Sequence, residues 1–294
     1  MIKLFVSDMD GTLLNENHVV SDQTAKAVKE LQASGVEFMI ATGRGHHSAS
    51  VLTQAQEIKC RMINLNGAAI HDLDGSLTDS NPLLSASVRK IIEYLDQYDI
   101  DYAVTTLDNY YISDFDSFVE RISKFMTTDH DADSTAEDIL NDDVTNAQLV
   151  AHYGDIKSIQ ELDLTDEDPA LKMMVFSRDK SELDQFREQF ATYDDLDLTS
   201  SAADNIEITH RNAQKGLAVE AYVKANGYTM DEVITIGDSL NDRSMLKMAK
   251  HSYAMENAPD HIKAMANNLA PANYNEGVAK VIEQLLHDQP TINA

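Results

Sequence analysis

The chain has 294 residues, 43% of them hydrophobic, and can bury the core of one large domain or of two ordinary ones. Asp and Glu outnumber Lys and Arg by 50 to 23, and the formal net charge of −27 disfavours binding to nucleic acid or to anionic membranes. The sequence has one cysteine, no secretion signal and no apolar stretch long enough for a bilayer, and therefore predicts a cytoplasmic protein without an intramolecular disulfide.

The N-terminal part of the chain alternates between strand and helix patterns. In chain order these are a strand at 2–7, a helix at 21–34, a strand at 36–41, a helix at 48–57 and a strand at 62–65. Ser21 or Asp22 can cap the first helix, and Gly35 can end it. Such alternation predicts an α/β fold with a doubly wound, Rossmann-like parallel sheet.

The character of the sequence changes after Asn81. The segment 82–209 is more acidic and mixes helical patterns with isolated strand patterns, which lie at 102–106, 171–176 and 206–209. Its most acidic and least periodic tract, 129–143, predicts an exposed loop or helix. We interpret 82–209 as an α+β domain inserted into the first one.

Strand and helix patterns resume after residue 209. They comprise a helix at 219–226, strands at 232–236 and 251–255, and a helix at 277–287. We therefore expect 1–81 and 210–294 to form one discontinuous α/β core around the inserted domain.

Two carboxylates follow the first predicted strand, in the sequence Asp8-Met9-Asp10-Gly11-Thr12. Reactive groups collect at the carboxyl ends of the strands in an open α/β sheet. Alternate residues of an extended chain point to the same side, so the two carboxylates converge if the extended geometry lasts through Asp10. Because like charges that close are costly, the pair predicts a metal site, an acid/base function, or both.

Three further clusters lie at strand ends or at a helix start, namely Thr42-Gly43, Lys215 and the sequence Gly237-Asp238-Ser239-Leu240-Asn241-Asp242. Together with the first cluster, and in this order, they resemble the four motifs of the haloacid dehalogenase (HAD) superfamily. The position and length of the insertion resemble those of subclass IIB, the Cof-type phosphatases. The resemblance implies a HAD-like catalytic core with an α+β cap domain that determines substrate specificity.

The resemblance also implies roles for the first motif. Asp8 is the expected nucleophile, which attacks phosphorus and forms an aspartyl-phosphate. Asp10 is the expected general acid and base, first for the leaving oxygen and then for the attacking water. Met9 is expected to contribute only its backbone N–H to the substrate phosphate.

The other motifs are expected to bind the phosphate and a metal ion. The further phosphate-binding residues that the resemblance implies are Thr42, Gly43, Lys215 and Asn241. Asp238, with Asp8 and the backbone carbonyl of Asp10, is expected to hold Mg²⁺, which prefers oxygen ligands. Asp242 is expected to support Lys215 or the metal ligands.

The leading hypothesis is a Mg²⁺-dependent phosphatase, a phosphoric monoester hydrolase that acts on a small phosphorylated metabolite such as a sugar phosphate or a phosphorylated cofactor. Asp10 stands where the ion-pumping ATPases of the superfamily have Thr, which disfavours a pump. The alternative is a phosphomutase of the same subclass, which returns the phosphoryl group to a sugar phosphate. A ligand-binding regulator without enzymatic activity is the third hypothesis. The sequence determines neither the substrate nor the oligomeric state.

Overall fold

The computed structural model describes residues 1–107, 109–123, 153 and 155–288. It divides into two compact units, of which Met1–Asn81 with Asn212–Ala294 form the first and Pro82–Arg211 the second. The acidic tract that the sequence interprets as a loop or helix, 129–143, lies outside the described residues. Within the part of the chain that the structure describes, no helix has the length and apolar character needed to cross a membrane.

The strands of the described residues are, in chain order, β1 (Leu4–Ser7), β2 (Glu37–Ala41), β3 (Arg61–Asn64), β4 (Ala69–His71), β5 (Leu77–Ser80), β6 (Asp101–Thr105), β7 (Asn109–Ile112), β8 (Asp155–Ser158), β9 (Lys172–Phe176), β10 (Leu196–Thr199), β11 (Asn205–His210), β12 (Val233–Gly237), β13 (His251–Met255) and β14 (Asn268–Ala270). Their α-helices are α1 (Asp22–Ala33), α2 (His46–Gln54), α3 (Ser85–Gln97), α4 (Phe115–Ser123), α5 (Lys180–Phe190), α6 (Lys215–Ala225), α7 (Arg243–Met248), α8 (Asp260–Lys263) and α9 (Gly277–Asp288).

The first unit is built on an eight-stranded sheet in the order β14-β13-β12-β1-β2-β3-β4-β5. The strands from β14 to β3 are parallel, which confirms the predicted α/β core with a parallel sheet. At one edge, β4 and β5 add an antiparallel hairpin. The sequence did not predict this hairpin because β4 has only three residues and β5 is polar and mostly exposed.

Alternating strand residues build a hydrophobic core on each face of this sheet. Phe5 points to one face and belongs to a cluster with Val28 of α1 and Ile282 of α9. Val6 points to the other face and belongs to a cluster with Val219 of α6. Because helices cover both faces, the polar groups of the strand segments collect in the loops at the strand ends.

Helix α6 begins at Lys215, earlier than the start at residue 219 that the sequence pattern indicated. Its second residue, Gly216, weakens the helical pattern because glycine is a poor helix former. A Cβ at this position would lie 2.5 Å from the carbonyl carbon of Ser244 in α7. The glycine therefore serves the close approach of two helices, and Lys215 is the first helical residue.

The second unit contains a six-stranded sheet in the order β10-β11-β9-β6-β7-β8. Its neighbouring strands are antiparallel except for β7 and β8, which are parallel. Helices α3 and α5 bury Ile91 and Phe186 against the strand residues Val104, Val175 and Ile206 on one face of the sheet. The three strands that the sequence predicted in the insertion correspond to β6, β9 and β11.

Candidate active site

Three of the sequence motifs follow neighbouring parallel strands of the first unit. Strand β1 pairs with β2 on one side and with β12 on the other. Asp8 comes directly after β1, Thr42 directly after β2 and Asp238 directly after β12. Since parallel strands end at the same edge of the sheet, the three motifs lie together at its carboxyl edge.

Lys215, from the first turn of α6, is a cation of this site, and its side chain is fully buried. Its Nζ lies 2.7 Å from Oδ1 of Asp8 and 2.6 Å from Oδ1 of Asp242. Burial alone would lower the pKa of Lys215, but the carboxylates of Asp242 and Asp8 raise it above its ordinary value. The ammonium group therefore stays charged in the interior, where only a paired charge is tolerated.

Asp242 links Lys215 to the loop after β12. The Oδ2 of this fully buried residue accepts hydrogen bonds from the backbone N–H groups of Asp238, at 2.8 Å, and Ser239, at 3.0 Å. Gly237 makes this approach possible, because a Cβ there would lie 2.5 Å from Oδ2 of Asp242. One carboxylate thus orients both the cation and the loop that carries Asp238.

Asp238 is also held by the turn after β1. The Thr12 hydroxyl donates a 3.0 Å hydrogen bond to Oδ1 of Asp238. Gly11 has a φ of +75°, and a Cβ on it would lie 2.5 Å from Oδ2 of Asp238. Both the left-handed backbone and the lack of space require glycine at this position.

The site contains more negative than positive charge. Ligand oxygens of Asp8, Asp238 and Asp242 all lie within 4.8 Å of one another, and together with Lys215 these groups would carry a formal charge of −2 if all four were ionised. Burial and then the Asp242 carboxylate raise the pKa of Asp8 well above 3.8, although Lys215 lowers it. The same two causes raise the pKa of Asp238 to about 7, against the hydrogen bond from Thr12. The folded protein therefore disfavours ionisation of both carboxyl groups.

Oδ2 of Asp8 is buried and receives no hydrogen bond from the described residues. A buried carboxylate oxygen without a donor is costly, and the Asp8 side chain also lies close to two more carboxylates. A divalent cation would both coordinate this oxygen and neutralise the surplus charge. The donor set consists of oxygens, as Mg²⁺ prefers, so the residues present fit this ion.

The Asp10 carboxylate is bound by a different cation from that of Asp8. Arg44 donates to it from Nε at 2.7 Å and from Nη2 at 2.6 Å, while Nη1 donates to the hydroxyl of Ser48 at 3.1 Å. The predicted convergence of Asp8 and Asp10 depended on an extended chain through Asp10. Instead β1 ends at Ser7, and the chain turns at Asp10 and the following glycine.

The remaining candidate residues lie at the same sheet edge with distinct surroundings. The Thr42 hydroxyl, fully buried, accepts a 3.1 Å hydrogen bond from the N–H of Arg44, and Gly43 between them is partly exposed. The Met9 side chain is fully buried in the hydrophobic core and therefore does not take part in the site. Asn241 is half-buried, and its Oδ1 accepts a 2.6 Å hydrogen bond from the Ser239 hydroxyl.

Two asparagines that lie outside the sequence motifs also contact them. Asn66 accepts a 3.1 Å hydrogen bond from Nδ2 of Asn241, and Asn257 donates a 2.8 Å hydrogen bond to the carbonyl of Gly11. Each follows shortly after a parallel strand, β3 or β13. Polar residues after every parallel strand, rather than after motif-bearing strands alone, are the signal that would have indicated them.

The chain is similar to known proteins over nearly its whole length. A family model for haloacid dehalogenase-like hydrolases matches residues 5–282. Phosphatase YwpJ of Bacillus subtilis is 31% identical over 97% of this chain and 100% of that protein. The 5-amino-6-(5-phospho-D-ribitylamino)uracil phosphatase YwtE of the same species is 30% identical over 98% of this chain and 99% of its own. The solved structure of a haloacid dehalogenase-like hydrolase from B. subtilis, 29% identical, has a TM-score of 0.81 and covers 97% of this chain and 100% of that one. The chain therefore belongs to the haloacid dehalogenase-like hydrolases, in the Cof-type group of their subclass IIB.

Proposed function

We propose that the protein is a Mg²⁺-dependent phosphatase that hydrolyses a small phosphorylated metabolite through an aspartyl-phosphate on Asp8. The observation that carries this proposal is the state of the Asp8 carboxylate. One of its oxygens is bound to a fully buried lysine, the other is buried with no donor among the described residues, and the side chain lies close to Asp238 and Asp242. Such a carboxylate is oriented, dehydrated and ready to bind an electrophile or a cation.

The residues that would hold Mg²⁺ are Asp8, Asp238 and the backbone carbonyl of Asp10, with Asp242 as support. When bound, the ion would offset the charge of the carboxylates and of the substrate phosphate. The charge of −27 on the chain opposes long-range attraction of an anionic substrate, so the phosphate site depends on local donors and cations. The donors that we assign to the phosphate are Lys215, the Asn241 amide, the Thr42 hydroxyl and the N–H groups of Met9 and Gly43.

The reaction has two steps in this proposal. First, a carboxylate oxygen of Asp8 attacks phosphorus in line, the ester P–O bond breaks, and Asp10 donates a proton to the leaving oxygen. Then water attacks the phosphorus of the aspartyl-phosphate and gives a proton to Asp10, while the bond from phosphorus to Asp8 breaks and inorganic phosphate is released. Both steps require the Asp10 carboxylate to exchange its hydrogen bonds to Arg44 for contacts to substrate and water.

The substrate class is supported by the relatives. One of them, YwtE, is named for a phosphorylated ribitylaminouracil, in which a polyol phosphate is joined to a heterocycle. We propose a substrate of comparable size, a sugar phosphate or a phosphorylated cofactor, with specificity determined by the second unit, Pro82–Arg211, acting as a cap.

The test is release of inorganic phosphate from a panel of sugar phosphates, nucleotides, flavin mononucleotide and pyridoxal phosphate, with and without Mg²⁺. We expect turnover that stops when EDTA is added and returns with excess Mg²⁺. Asp8→Asn should abolish turnover, whereas the exposed Asp260→Asn, which removes an equal charge from the surface, should leave it unchanged. Metal-independent turnover, or more than a few per cent of activity in Asp8→Asn, would contradict the proposal. Isomerisation of a sugar phosphate without net phosphate release would identify a mutase instead.

A further inference from the structure

Three consecutive residues after β3 have a left-handed backbone. Leu65, Asn66 and Gly67 have φ values of 49°, 61° and 107°, and we name them the left-handed turn. Glycine adopts such angles freely and asparagine tolerates them, but for leucine they are strained. All three residues are buried, so the surrounding structure holds this conformation in place. Strain of this kind persists where neighbours determine the backbone, and the neighbours here are residues of the proposed phosphate site.

The backbone of the left-handed turn contacts two of the phosphate-binding segments. The N–H of Asn66 donates a 2.9 Å hydrogen bond to the carbonyl of Thr42, and the N–H of Leu65 donates a 3.1 Å hydrogen bond to the carbonyl of Arg44. A Cβ on Gly67 would lie 3.0 Å from the backbone of Gln214, the residue directly before Lys215. The turn therefore packs against the loop after β2 and against the start of α6.

The side chain of Asn66 contacts a third phosphate-binding residue, Asn241. Oδ1 of Asn66 accepts the hydrogen bond from Nδ2 of Asn241, and both side chains are partly or fully buried. Oδ1 of Asn241 in turn lies 2.6 Å from the Ser239 hydroxyl and 3.5 Å from Nζ of Lys215. Both ends of the Asn241 amide are thus held: its oxygen faces the Ser239 hydroxyl and Nζ of Lys215, and its nitrogen donates to Asn66. Loss of the acceptor on Asn66 would allow this amide to rotate.

We propose that Asn66 is a positioning residue for phosphoryl transfer, which acts through Asn241 and the Lys215 contact rather than by touching the substrate. The inference rests on the proposed function of the site, since it assumes that Asn241 and Lys215 bind the phosphoryl group. It follows that the Asn66 side chain contributes to turnover only while Asn241 is present. A residue that merely stabilised the fold would contribute equally in both backgrounds.

The experiment is a double-mutant cycle of Asn66→Gly and Asn241→Ala. Glycine keeps the left-handed backbone available and removes only the amide. We expect Asn66→Gly to lower kcat about 10- to 100-fold with little change in KM, because the transition state makes stricter demands on orientation than the ground state does. In the Asn241→Ala background the same substitution should change kcat less than about threefold. Additive effects, or a loss confined to KM, would overturn the proposal.

A second variant and a second measurement keep the proposal testable if Asn66→Gly does not fold. Asn66→Asp keeps an acceptor oxygen, and aspartate tolerates the left-handed region. This variant should retain a higher kcat than Asn66→Gly. If Asn66→Gly does not fold, the comparison is with Asn241→Ala, and Asn66→Asp should again have the higher kcat. Asn267→Ala, which removes an asparagine hydrogen bond to the carbonyl of Lys250 in the same unit, is the matched control and should leave kcat unchanged. An Asp variant no more active than its comparison variant would contradict the role of the acceptor.

Calorimetric binding of inorganic phosphate in Mg²⁺ buffer separates this proposal from the proposed function. If the wild type releases no phosphate from any ester but binds phosphate, the same cycle is measured on Kd, with the same expected coupling. If it hydrolyses esters and the cycle is additive, the role of Asn66 fails alone. If the wild type neither hydrolyses esters nor binds phosphate, both proposals fail.

Discussion

Replacement of Asp238 by asparagine should stabilise the metal-free protein and remove its response to Mg²⁺. The pKa of Asp238 is raised from 3.8 to about 7, chiefly by burial and next by the Asp242 carboxylate. The folded protein therefore binds this proton more tightly than the unfolded chain does, and ionisation of Asp238 opposes folding. Asparagine has nearly the same shape, carries no charge, and can still accept the hydrogen bond from Thr12.

The expected size of the effect follows from the shift in pKa. One unit corresponds to about 1.4 kcal/mol, so a shift of about three units corresponds to about 4 kcal/mol once the group is fully ionised in the folded protein. The wild type should lose this stability as the pH rises from about 4 to about 7, with no further loss from this group above 7. Between pH 5 and pH 8 the stability of Asp238→Asn relative to the wild type should increase by about 3 kcal/mol.

The assay is urea unfolding in EDTA at several pH values between 5 and 8, followed by circular dichroism. Asp260→Asn, at an exposed carboxylate, is the control and should show no such change with pH. Added Mg²⁺ should stabilise the wild type, because it binds the folded protein, and should have little effect on Asp238→Asn. A difference between Asp238→Asn and the wild type that is independent of pH, or a variant that is less stable at pH 8, would refute the reasoning.

Three further substitutions test other parts of the site. Lys215→Met leaves the buried carboxylates without their cation and should lower the free energy of unfolding in EDTA by about 3–5 kcal/mol. The measurement is urea unfolding at pH 8, and a loss below about 1 kcal/mol would contradict the prediction. Gly11→Ala places a Cβ 2.5 Å from an Asp238 oxygen and should lower kcat/KM about 100-fold. The circular dichroism spectrum should be unchanged, and near-normal turnover would contradict the prediction. Thr12→Val removes the hydrogen bond to Asp238 and should raise the Mg²⁺ concentration for half-maximal activity about tenfold, and an unchanged metal requirement would contradict this prediction.

The sequence predicted those features that depend on short-range patterns. Asp8 and Asp238 were placed at one sheet edge because each directly follows an apolar strand, and the topology brings these strands side by side. The contact from Asn66 to Asn241 joins residues 175 positions apart, and that from Asn257 to Gly11 joins residues 246 apart. No local pattern encodes which distant side chain an amide will meet. The hairpin of β4 and β5 was missed for a different reason, since an exposed edge strand lacks the apolar signal of a buried one.

The glycines of the motifs have a physical explanation that the sequence alone did not provide. A Cβ at Gly11 would lie 2.5 Å from a carboxylate oxygen of Asp238, and one at Gly237 would lie 2.5 Å from a carboxylate oxygen of Asp242. The carboxylates of Asp8, Asp238 and Asp242 can lie within 4.8 Å of one another only where the backbone beside them leaves room. Even an alanine methyl at Gly11 would have to displace the Asp238 carboxylate, and one at Gly237 would have to displace the Asp242 carboxylate that orients the loop. The two glycines are therefore part of the charge arrangement of the site, because they provide the space that Asp238 and Asp242 occupy beside the other charged groups.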